Sequence, residues 1–150
     1  MLDGLGLNWI EEPVSQDDYK GSARVAKAVK TPIQRGENWF GVAEMAKSIA
    51  AGGTDLAMVD IMKIGGVSGW LRAASIAHEH RLPLSSHIFQ EVTGHVMAVT
   101  PTADWLEYLD IADPILEQPT KIDRGNAVLD HQLGSGVSWN MEMVEKLRVR

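Results

Sequence analysis

Along the chain a short apolar run, a polar stop and a stretch of helical spacing follow one another again and again. "LNWI" ends at Glu11, Glu12 and Pro13. Asp17 and Asp18 then stand where a helix needs an N-cap, and Val25, Ala26 and Val29 share one face over about 19–30. "TPIQRGE" is the next strand, and Val42, Met45, Ala46, Ile49 and Ala50 after it follow a helical stripe that Gly52 and Gly53 end. "DLAMVD" is nearly all apolar, as in a strand covered on both faces of a parallel sheet. Gly65 and Gly66 lead into a helix whose predicted buried stripe is Val67, Trp70, Leu71, Ala74 and Ala77. "LPLSS" is the fourth strand, a short helix spans about 92–99, and "DWLEYL" is the fifth strand. Strand–helix alternation with short connections predicts a parallel α/β sheet with right-handed crossovers.

Glu11, Glu37, Asp60, His87 and Glu107 each fall at or just past a strand end, with gaps of 26, 23, 27 and 20 residues. One βα unit separates each from the next, so all five face the C-terminal edge of the sheet, where α/β folds place their chemistry. A closed eight-stranded barrel takes about 250 residues, and this chain of 150 supplies five strands. The spacing fits an open five-stranded sheet and the later part of a barrel equally. The strand–helix units cover about 7–113, with a tail over about 114–150.

Composition narrows the function classes. With 20 acidic against 14 basic residues and a net charge of -6, no basic face offers itself to nucleic acid. The absence of cysteine excludes disulfides, thiolate metal sites and cysteine nucleophiles. No apolar run reaches membrane-spanning length, and no basic-then-apolar leader is visible, so the expectation is a cytoplasmic protein without nucleic-acid or membrane partners.

The five polar residues suggest specific chemistry. Glu11 and Glu37 on adjacent strands offer hard oxygen ligands to a divalent cation, magnesium before zinc, with a third ligand expected nearby. Glu12 is either an outer support of that pair or a salt-bridge partner, and Asn38 either an outer hydrogen bonder or a loop residue. Asp60 and His87 on consecutive strands form either a base held by a carboxylate or a structural histidine satisfied by its neighbour. Glu107 is either a surface carboxylate or an acid that donates a hydrogen bond to a developing oxyanion. Lys63 in "MKIGG" reaches into the site or remains solvated. His78, His80, His95 and His131 carry no assigned chemistry, and the seven methionines and five tryptophans read as core and interface filling.

"WIEEP", "GENW", "MVDIMKIGGVSGW", "SSHIFQE" and "DWLEYLD", in this order and at these separations, resemble the mandelate racemase family of the enolase superfamily. The likeness continues through "GNAVLD" and "LGSGVSW" and covers essentially the whole chain. It implies a partial (β/α) TIM-like barrel of about five strands, with the N-terminal capping domain and first strands missing. It also implies that Glu11 and Glu37 are two of three magnesium ligands, manganese being an alternative ion. His87 would be one of two opposing bases, with Asp60 its dyad partner, and Glu107 would hydrogen-bond a substrate carboxylate as it becomes an enediolate. The family's Lys-x-Lys base and third aspartate ligand have no counterpart, so the expectation is a partial member, inactive alone as a racemase. Ile88 and Leu109 are apolar at positions that match the substrate pocket. They favour an aromatic 2-hydroxy acid, with acid-sugar dehydration as the runner-up. A non-catalytic α/β module that binds a metal or a partner is the reading from another class. Unpaired sheet edges imply cover, from a further copy or from the missing N-terminal part.

Overall fold

The computed structural model describes residues 2–129 and 134–149. Strands β1 (Ile10–Glu11), β2 (Ile33–Arg35), β3 (Leu56–Asp60) and β4 (Leu84–His87) are parallel and lie side by side in chain order. Helices α1 (Tyr19–Ala28), α2 (Val42–Ala51), α3 (Ile61–Ile64), α4 (Gly66–His80) and α5 (Gln90–Met97) connect or follow them. A small antiparallel hairpin, β5 (Lys121–Asp123) and β6 (Asn126–Val128), and the short helix α6 (Met141–Lys146) make up the tail.

Local chemistry accounts for the boundaries. Asp18, not Asp17, caps α1 by accepting the Gly21 amide at 2.7 Å, while Asp17 accepts the Ser15 hydroxyl. Asp60 ends β3 and caps α3, a turn that the sequence reading did not separate from the helix after it. Before the sheet, Asp3 accepts the amides of Lys30 and Thr31 and so fixes the start of β2.

The core lies between β3 and β4 on one side and α2, α4 and α5 on the other, around Trp39, Met45, Val59, Trp70, Ala73, Ala77 and Leu84. Each fully buried large side chain contributes about 1.5–3 kcal/mol. The predicted stripes need correction at their margins. Ala46 and Ala50 of α2 are exposed, and Ser48 is buried instead because its hydroxyl bonds that of Thr54 at 2.8 Å. On α4, Val67 and Leu71 stay half exposed, while Ala73 turns inward beside Trp70. Trp39 and Trp70 are core residues as expected, but Trp105 and Trp139 are more than half exposed, as are Met62 and Met141.

The fifth strand also differs from expectation. The Leu84 amide donates to Thr102, and the Ser86 amide donates to Trp105. The donor advances two residues while the acceptor advances three, so one extra residue bulges out and breaks the ladder. Residues 103–107 therefore run beside β4 as extended chain with one ladder bridge, Leu84–Ala103, and separate hydrogen bonds beyond it. No helix among the described residues is long and apolar enough to cross a membrane.

Candidate active site

β3 and β4 pair Asp60 directly with His87. Asp60 is 3% exposed, and both of its oxygens are in use. Oδ1 accepts the amides of Met62 and Lys63 at 2.7 and 3.0 Å, and Oδ2 lies 2.9 Å from His87 Nδ1. A carboxylate clamped in this way cannot swing, so it fixes the ring plane. With Nδ1 donating to Asp60, the neutral ring carries its lone pair on Nε2. That nitrogen faces the C-terminal mouth, 3.4 Å from Glu37 Oε2.

Glu37 belongs to a second cluster. Asn38 Nδ2 donates to Glu37 Oε1 and to Glu12 Oε2, each at 3.0 Å, and Lys63 Nζ donates to Asn38 Oδ1 at 2.9 Å. Lys63 is thus drawn into the site's support and not left solvated. Glu12 Oε1 also accepts the Gly36 amide at 3.3 Å. Gly36 is required here: at φ +140°, a Cβ would lie 2.5 Å from the Met58 carbonyl oxygen and 2.9 Å from the Trp39 ring. Glu12 itself has φ +36°, a strained value that separates its side chain from that of Glu11.

Glu11 Oε2 accepts from Trp9 Nε1 at 3.2 Å and from Gln34 Nε2 at 3.3 Å. Neither donor was singled out in the sequence, although period-2 alternation in "IQR" places a polar Gln34 inward beside Glu11. Glu107 sits across the mouth. Its amide donates to Ser86 Oγ at 3.1 Å, and its Oε2 accepts the Ile88 amide at 2.8 Å. Oε2 is thereby taken by an N–H, and Oε1 is the oxygen left to meet a substrate. Ile88 and Phe89 both adopt left-handed backbone, at φ +40° and +54°. This turn brings Ile88 and Leu109 together in a mainly apolar cleft with Phe89, Ile111 and Ala112, to which Gln90 and Glu91 also contribute.

For a divalent cation, the donor set fits in part. Glu11 and Glu37 supply hard oxygens whose other oxygens are already tied by hydrogen bonds, as suits an ion that keeps several waters. No group of three or more Asp, Glu, His or Cys placed to hold a metal occurs among the described residues. His78, His80 and His95 lie on α4 and α5, away from this set, and Asp130 and His131 lie outside the described residues.

Fold and site together define a partial (β/α) barrel with its polar side chains gathered at the strand C-termini. Residues 1–143 match the Enolase C-terminal domain-like family, and the chain belongs to that family. It is 46% identical to an enolase from alpha proteobacterium bal199 solved with bound magnesium, at a TM-score of 0.94 over 97% of this chain and 40% of that one. An enolase from Bradyrhizobium complexed with magnesium and mandelic acid is 44% identical, also at a TM-score of 0.94, over 99% of this chain and 41% of its own. Among curated proteins, L-talarate/galactarate dehydratase of Salmonella typhimurium is 30% identical over 90% of this chain and 34% of its own length. The chain therefore spans well under half the length of the proteins it matches. The curated relatives include dehydratases and cycloisomerases.

Proposed function

We propose that this chain supplies the later strands of a magnesium-dependent barrel enzyme that removes the proton α to a carboxylate, acting on a 2-hydroxy acid as a racemase does. The observation that carries the reading is the 2.9 Å Asp60–His87 pair, which turns the second ring nitrogen toward the mouth beside Glu37. His87 Nε2 takes the α-proton, and Asp60 stabilises the imidazolium that results. Glu107 donates from Oε1 to the carboxylate oxygen where charge accumulates, a bond that strengthens toward the transition state. Glu11 and Glu37 would hold the ion, Mg2+ or alternatively Mn2+, whose positive charge lowers the energy of the dianionic enediolate. Glu12, Asn38 and Lys63 keep Glu37 in place. The substrate class is a small carboxylate, and the Ile88–Leu109 cleft favours one with an apolar or aromatic end, in keeping with the mandelic acid held by the Bradyrhizobium relative.

Acid-sugar dehydration is the second reading, favoured by the named activities of the curated relatives. The same dyad would abstract the proton and return it to a departing hydroxyl. Incubation with mandelate and a panel of acid sugars in D2O with Mg2+, followed by NMR, separates the two. The racemase reading expects deuterium at the α-carbon of one mandelate enantiomer, lost in His87→Asn. A 2-keto product from a sugar acid would instead establish dehydration. With His87 as its single base, the 150-residue chain is expected to exchange but not to racemise, and racemisation by this chain alone would overturn that.

A further inference from the structure

We infer that Gln34 and Trp9 are positioning residues that turn one oxygen of Glu11 toward the cation, an inference that rests on the magnesium reading above. Gln34 lies on β2 in register with Glu11 and is 1% exposed. Its amide nitrogen has two hydrogens and meets two acceptors, Glu11 Oε2 and Met58 Sδ, each at 3.3 Å. Its oxygen is buried with no donor among the described residues. A buried carbonyl without a partner is costly, so something must hold the amide this way round. The charge on Glu11 does so: the flipped amide would press its oxygen against a carboxylate.

Trp9 acts on the same atom. Its Nε1 donates to Glu11 Oε2 at 3.2 Å, so both donors grip one oxygen and neither engages the other. The indole is braced in turn, its ring lying 6.4 Å from that of Trp105, whose amide donates to Ser85 Oγ on β4 at 3.2 Å. A carboxylate on β1 is thus oriented by groups on β2, β3 and β4. Held by one oxygen, it presents the other as a fixed ligand; without its donors it would sample several rotamers and bind a cation less tightly.

Mn2+ titration of the purified chain, read as the loss of the free-ion EPR signal, tests this without an activity assay. Gln34→Met is expected to raise the Mn2+ dissociation constant about 10- to 100-fold, as removal of an outer-shell partner does. Trp9→Phe is expected to raise it as well. The double variant should fall short of the product of the two effects, because both donors share one oxygen. Ser48→Ala is the control: it loses the bond to Thr54 in the core and should lower the melting temperature but leave the Mn2+ constant unchanged. Should Gln34→Met fail to fold, the more peripheral Trp9→Phe decides. Wild-type affinity in both variants would overturn the positioning role and leave the metal reading standing. A wild-type chain that binds no Mn2+ would overturn the metal reading and this inference with it.

Discussion

His87 stands between two carboxylates, but only the contact to Asp60 has hydrogen-bond geometry, at 2.9 Å against 3.4 Å to Glu37. The closer partner is also the more rigid, since Asp60 doubles as a helix cap. Elsewhere the same logic works on a phenol. The Tyr108 hydroxyl donates to Asp113 at 2.7 Å, and that bond, followed by burial and the charge on Asp113, pushes its pKa up to about 12 from an ordinary 10. The folded state thus favours the neutral phenol. Its contribution to stability is complete below pH 10 and is lost as pH rises toward 12. Ultraviolet titration of phenolate should show late ionisation of Tyr108, and Asp113→Asn should return that midpoint toward 10. An unchanged midpoint would show that Asp113 is not the cause. At this scale Asp60 and His87 were legible because each is the polar residue that ends an apolar strand, and Glu37 and Glu107 because they follow at one βα-unit spacing. Trp9 and Gln34 were not: Trp9 precedes β1 and reads as an apolar filler two residues before Glu11, and only the pairing of β1 with β2 puts the Gln34 amide beside Glu11.

The turn after β4 stores strain where it shapes the cleft. Left-handed backbone is unfavourable for a β-branched or aromatic residue, by about 1–3 kcal/mol at each position, yet Ile88 and Phe89 adopt it in succession. The Ile88 amide is locked by Glu107, and the Phe89 carbonyl accepts the amides of Val92 and Thr93 as α5 begins. Phe89→Asn places a residue that tolerates this backbone at a site 39% exposed, so it should raise the melting temperature by a few degrees. The same change removes apolar lining, so it should weaken binding of an aromatic acid. A thermal melt with and without mandelate reads both effects, and a lower melting temperature without ligand would count against strain. Strands and helices were legible at this scale because their periods differ. The bulge near Trp105 was not, because an extra residue in an extended segment leaves no mark on the apolar pattern. Nor did the pattern tell that Ala46 and Ala50 face outward: alanine suits either side of a helix.

For the whole molecule, the sheet order leaves β1 paired on one side only among the described residues, and Leu5 and Leu7 on the segment leading into it are exposed. An open edge beside exposed apolar side chains invites association. Sedimentation of the purified chain is expected to show dimers or larger species at micromolar concentration, and a stable monomer would refute this. The order of the strands has a further consequence. Each strand after β1 pairs with its immediate predecessor, and the site's own links span 23 residues from Glu11 to Gln34 and 27 from Asp60 to His87. Loops of that length close cheaply. A ribosome delivering the chain from its N-terminus would release each βα unit onto a partner already made, so the sheet can grow strand by strand during synthesis. His87 would then be seated last of the pair, on an Asp60 already fixed by its cap.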